Sequence, residues 1–108
     1  MVHWEIEAHD PAHQRAFYAG LFNWNISEGP VMDVPSGIGA PEQISGHIRR
    51  GRTSRVVLYI QVRNLAASLD RARELGGTVE REPFDTPGGP TLATIADPEG
   101  NRVTLVQQ

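Results

Sequence analysis

The strongest constraint on this chain is that it repeats itself. Shifting the second half back by 54 positions lays Leu58 on Trp4, Ile60 on Ile6, Val62 on Ala8, Asn64 on Asp10 and Leu75 on Leu21. A chain built from two similar pieces folds each piece the same way. Each half reads β-α-β-β-β. The fold class expected is therefore α+β, with two tandem β-α-β-β-β modules forming a curved, cup-like mixed sheet and the helices outside. Residues 1–108 make one domain, with module one at about 1–50 and module two at about 55–108.

Local patterns set the elements. In Val2 to Ala8 the residues Trp4, Ile6 and Ala8 share one parity and His3, Glu5 and Glu7 the other, which is the period of a half-buried strand. Asp10-Pro11 is a helix start, with Asp as N-cap and Pro at the first helical position. The helix runs over Ala12 to Phe22 with Ala16, Phe17, Gly20 and Leu21 as its buried stripe, and Asn23 ends it. Strands follow at Trp24 to Ser27, Val31 to Val34 and Ile44 to Arg49. Arg55 to Val62 is the next strand, with Leu58, Ile60 and Val62 on its helix-facing parity. Asn64 caps a second helix, Leu65 to Leu75, which buries Leu65, Leu69 and Ala72 and stops at Gly76-Gly77. Thr78 to Arg81 is a strand, and Pro83 to Pro90 is a loop. Ala93 to Val106 closes the chain as a hairpin around Asp97-Pro98-Glu99-Gly100-Asn101, where Pro98 presets φ and Gly100 accepts a positive one.

Composition removes several function classes. A formal net charge of −3 argues against a nucleic-acid partner. With no cysteine there is neither a disulfide framework nor thiolate chemistry. No apolar run approaches the ~20 residues that cross a bilayer, so no membrane partner is expected. The strand pattern begins at once and leaves no room for a signal peptide, which makes a cytoplasmic protein the expectation.

The apolar parity of each first strand must cover its own helix, so the polar parity faces the concave side. That places His3, Glu5 and Glu7 inward, with their repeat mates Val57, Tyr59 and Gln61. Two carboxylates two residues apart repel, which raises one pKa unless a cation sits near. Glu5 and Glu7 therefore read as a pocket for a cationic or hydrogen-bond-rich ligand, as a general base, as a solvated strand face in an open groove, or as partners of Arg49, Arg55 or Arg102. His9 and His13 flank the first helix start and belong in solvent. Arg49-Arg50-Gly51-Arg52 with Arg55 reads as a solvated linker, or as a grip on an acidic ligand group. Pro87-Gly88-Gly89-Pro90 reads as a lid or a surface turn. Trp4 belongs in the core, and Trp24 on the helix or at a dimer seam.

Trp4-Glu5-Ile6, Asp10-Pro11 before Phe17-Tyr18 and Leu21-Phe22-Asn23-Trp24, Leu75-Gly76-Gly77 and Asp97-Pro98-Glu99-Gly100-Asn101 together resemble the vicinal oxygen chelate superfamily. That superfamily includes glyoxalase I, bleomycin-resistance proteins and extradiol dioxygenases, and the likeness is greatest to its compact bacterial glyoxalase-like branch. The resemblance covers nearly the whole chain. It implies a homodimer and a small-molecule ligand. It also implies metal-ligand positions on the first and last strands of each half. These fall on His3, on Val57, on Thr104, and on either Gln43 or His47. Valine cannot bind a metal and threonine binds one poorly, whereas a stable divalent site needs three or more protein ligands. The expectation is a protein without the family metal and with no cofactor, binding a polar or cationic organic ligand near His3, Glu5, Glu7, His47, Val57, Tyr59, Gln61 and Thr104. The alternative is a glyoxalase-like lyase or isomerase, or a dioxygenase-like enzyme. It would use a retained or displaced metal held by His3, His47, Glu5 and Glu7, with Glu5 or Glu7 as base.

Overall fold

The structure is a computed structural model that describes residues 3–35 and 44–107. Its elements are β1 (His3–Ala8), α1 (Pro11–Phe22), β2 (Val31–Val34), β3 (Gly46–Arg50), β4 (Arg55–Gln61), α2 (Leu65–Glu74), β5 (Thr78–Asp85), β6 (Thr91–Ala96) and β7 (Arg102–Gln107). The chain packs as two compact units that divide between Val57 and Leu58. The start of β4 therefore packs with the first unit.

In the first unit the strand order is β2-β3-β1, with β1 parallel to β3 and β2 antiparallel to β3. Asp10 caps α1 by accepting the His13 N–H at 3.1 Å, and Asn23 ends it in the left-handed region at φ 59°. Ala8, Ile26, Val34 and Ile48 form the buried core, against which Trp4, Ile6, Tyr18, Ala19, Trp24 and Met32 pack. Trp24 is the hub of an aromatic cluster. Its ring centroid lies 5.6 Å from Tyr18, 5.7 Å from Trp4 and 5.1 Å from Phe22.

Two expectations fail in this unit. The buried stripe of α1 is rotated: Pro11 is buried and Gln14, Arg15, Tyr18 and Ala19 are partly buried, whereas Phe17 and Leu21 are more than half exposed. The aromatic cluster draws Tyr18 inward, and Arg15 follows it. That arginine explains the second failure, since Trp24 to Ser27 forms no strand. The Arg15 guanidinium donates twice to the Ile26 carbonyl, at 2.9 and 2.7 Å, and so takes the acceptor that a sheet partner would use. A single backbone bond, Ser27 N–H to the Asp33 carbonyl at 3.1 Å, ties this segment to β2.

The second unit completes the β-α-β-β-β pattern. Its strand order is β4-β7-β6-β5, with β4 parallel to β7 and both remaining pairs antiparallel. Asn64 caps α2 by accepting the Ala67 N–H at 3.0 Å, and Gly76 leaves the helix at φ 96°. Leu65, Leu69, Ala93 and Leu105 are the core, with Val62, Val79, Ile95 and Val103 packed on it. The β6–β7 turn is the expected hairpin. Asp97 accepts the N–H groups of Glu99 and Asn101, each at 2.9 Å, and Gly100 takes φ 89°. β5 runs on to Asp85 through two register shifts, so the expected loop is shorter, and Pro87 to Pro90 is a tight surface turn closed on Thr86. The expected helix-facing parity of β4 is only partly realised. α2 packs on β5, β6 and β7, and Leu58 and Ile60 stay 37% and 36% exposed. Among the described residues no helix is long and apolar enough to cross a membrane.

Candidate functional site

Alternation along β1 turns Trp4, Ile6 and Ala8 to the core and His3, Glu5 and Glu7 to the other face. The parallel register with β3 sets Glu5 opposite His47 and Glu7 opposite Arg49, so the polar parities of both strands share that face. The closeness of the strands depends on Gly46. It lies opposite Trp4, whose indole occupies the space a Cβ would take. Gly51 likewise leaves room for the Glu7 side chain.

The side chains on this face form one bonded series. His3 Nε2 lies 2.6 Å from His47 Nδ1, with the two rings stacked at 4.8 Å between centroids. Glu5 Oε1 accepts from His47 Nε2 at 2.8 Å and from Arg49 Nε at 2.5 Å. Glu7 Oε2 accepts from Arg55 Nε at 2.6 Å, and Arg49 Nη2 lies 3.9 Å from the same oxygen. An ionised carboxylate only accepts, so His47 carries its proton on Nε2. In neutral His47 the Nδ1 lone pair then accepts from His3 Nε2, which fixes the tautomer of both rings.

Glu5 and Glu7 are 2% and 5% exposed, an unusual depth for carboxylates. Burial pushes the Glu5 carboxyl up, but the hydrogen bonds from His47 and Arg49 outweigh it and bring the pKa down to about 2. His3 titrates below the ordinary histidine range. Burial and the neighbouring His47 lower it, and Glu5 and Asp33 oppose them.

The sequence offers Arg49 and Arg55 as a solvated linker, as a grip on an acidic ligand group or as partners of Glu5 and Glu7; the structure makes them the counter-ions of the carboxylates, which are buried and not a solvated strand face. Among the readings of Glu5 and Glu7, ion pairing is observed, with Arg49 and Arg55. Arg102 instead lies 4.0 Å from Glu80. The signal was present in the sequence: His47 and Arg49 share a parity, as Glu5 and Glu7 do. Only the strand register shows that these parities meet. Thr53, whose N–H lies 3.5 Å from Glu7 Oε1, carried no such signal. His9 and His13 are exposed, as expected.

Of the remaining candidates, Val57 belongs to the first unit and Tyr59, Gln61 and Thr104 to the second. Val57 is buried, 3% exposed. Tyr59 is half-buried and lies opposite Thr104, which is 7% exposed, and Gln61 is exposed. Gln43 lies outside the described residues. Register favours His47 over Gln43 as the first module's counterpart of Thr104. His47 sits opposite Glu5, and Thr104 sits opposite Tyr59, the repeat mate of Glu5.

The family metal does not fit this donor set. His3 Nε2 and His47 Nδ1 are bonded to each other, His47 Nε2 is bonded to Glu5, and Glu5 is neutralised by Arg49. A metal would have to displace these contacts to reach its usual distance of about 2.0–2.1 Å from nitrogen. Val57 offers no donor, and among the described residues no three His, Cys, Asp or Glu are grouped to hold a metal ion.

A model of the glyoxalase-like domain matches residues 3–106. The chain belongs to the glyoxalase-like domain family. This glyoxalase-like domain also shares its fold with solved structures of low sequence identity. One is a glyoxalase/bleomycin resistance protein/dioxygenase superfamily member from Vibrio splendidus 12B01, with a TM-score of 0.70 and 13% identity over 100% of this chain and 98% of that one. A protein from Bacillus halodurans C-125 aligns with a TM-score of 0.63 and 15% identity, over 100% and 93%. The 2,2',3-trihydroxybiphenyl 1,2-dioxygenase of Sphingomonas wittichii strain RW1 aligns with a TM-score of 0.61 and 15% identity, over 99% of this chain but 39% of the dioxygenase. No curated protein matches this glyoxalase-like domain.

Proposed function

We propose that this glyoxalase-like domain binds a polar small organic molecule on the face formed by β1 and β3, without the family metal. The observation that supports this is the series His3–His47–Glu5–Arg49–Glu7–Arg55. Holding two carboxylates at such depth, even with guanidinium partners, costs more desolvation than an apolar face of the same size. A binding role explains keeping them: they are preorganised hydrogen-bonding groups. Both carboxylates already have guanidinium partners, so a polar ligand with hydrogen-bond acceptors is better supported than a cation. Arg49, with its side chain 40% exposed, and half-buried His3 are the groups that reach such a ligand.

The test is calorimetric titration with a panel of sugars, hydroxy acids and cationic natural products, run with and without EDTA. A polar ligand that binds equally in both, and about tenfold more weakly to Arg49→Met, supports the reading. Metal bound near one per chain, or binding that vanishes with EDTA, overturns it. The bonded series His3–His47–Glu5 favours one second reading, an acid–base enzyme of the lyase or isomerase type. In it an imidazole handles the proton and Glu5 serves to orient it. Turnover with a bell-shaped pH profile that His47→Asn flattens is its signature.

A further inference from the structure

A second feature lies in the other unit. Between α2 and the sheet runs a groove of about 580 Å³, within the range of ligand sites. Its walls are apolar: Val62, Ala72, Leu75, Ile95 and Leu105. It arises because α2 covers β5, β6 and β7 and leaves the β4 side of the same apolar face open. The register places Leu58 beside Val103 and Ile60 beside Leu105, so this face continues past the groove. Leu75, at the C-terminal end of the wall, is 63% exposed in the single chain, an apolar patch of the kind that marks an interaction site.

The rim is cationic. Arg63 and Arg71 both line the groove. Arg71 shares its charge with Glu74 at 2.9 Å, while Arg63 is exposed and forms no ion pair with a described residue. No acidic residue lines the groove. An apolar wall with a cationic rim matches one chemistry, an anionic head on an aliphatic tail. We infer that this groove binds a free aliphatic carboxylate, its chain along Val62, Ala72, Leu75, Ile95 and Leu105 and its head group at Arg63. This site is independent of the β1–β3 face, and its test stands whatever that face binds.

The experiment is titration of the full chain with hexanoate, octanoate and decanoate below their micellar concentrations, with decanol as the uncharged control. A fully buried methylene is worth about 0.8 kcal/mol, roughly fourfold in affinity. An open groove recovers part of that, so about two- to threefold per added methylene is expected. Arg63→Gln weakens decanoate about fivefold and leaves decanol unchanged. Leu75→Glu, at an exposed position, weakens both while the circular dichroism spectrum and melting temperature stay as in the wild type. A flat chain-length series overturns the inference. So do equal affinities for decanoate and decanol with a silent Arg63→Gln. Sedimentation that shows a dimer dissolving as decanoate is added overturns it in favour of a second copy of the chain as the natural occupant.

Discussion

At the scale of single residues, close approach decides more than charge. Gly46 has no side chain because the Trp4 indole lies over it, and that contact lets β1 and β3 bring Glu5 to His47. Gly46→Ala is expected to cost about 1–3 kcal/mol, the range for overpacking a well-filled site. Urea denaturation measures it, and adding Trp4→Leu to Gly46→Ala restores part of the loss because the two side chains compete for one space. Nothing local in the sequence marks this glycine. Its reason is a ring 42 positions away.

At the scale of elements, the closing hairpin is the most self-contained piece. The Asp97 carboxylate accepts from the Asn101 side chain and from the Glu99 and Asn101 backbone, and these bonds hold its pKa below the ordinary range. Asp97→Ala removes all three bonds. It is expected to lower the melting temperature by roughly 5 °C, with Asp97→Asn less harmful; scanning calorimetry separates them. The turn was legible because its residues meet within five positions. Helix caps were legible for the same reason: Asp10 reaches His13 and Asn64 reaches Ala67. The segment Trp24 to Ser27 was not legible. Its alternation suits a strand, but Arg15 takes the Ile26 carbonyl, and no local pattern announces a bond eleven positions back.

At the scale of the whole molecule, the buried series links stability to pH. Glu5 titrates at about 2 when folded, against 4.5 as its ordinary value, so the unfolded chain takes up the proton first as pH falls. Its contribution is complete above pH 4.5 and is lost between there and pH 2. His3 adds to the slope in the same direction: its folded pKa is lowered, so stability begins to fall below pH 6.5. The expected loss from Glu5 alone is on the order of 3 kcal/mol. Urea denaturation at a series of pH values measures it. Glu5→Gln flattens the acid limb below pH 4.5, and an unchanged limb in that variant rules out Glu5 as its source.

The sequence by itself determined the repeat, the α+β class, the helix caps, the closing hairpin and the parity that sets His3, Glu5 and Glu7 apart from the core. Each follows from steric preference or periodicity among near neighbours, which any chain with these residues carries into every conformation it samples. Tertiary structure alone decided four other things. It turned the buried side of α1 to Tyr18 and Arg15. It left Leu58 and Ile60 uncovered, and it chose His47 over Gln43 as the counterpart of Thr104. It also gave the carboxylates Arg49 and Arg55 as partners. These depend on strand register and on where a helix comes to rest, which local pattern does not fix even where, as with the shared parity of His47 and Arg49, it names the candidates.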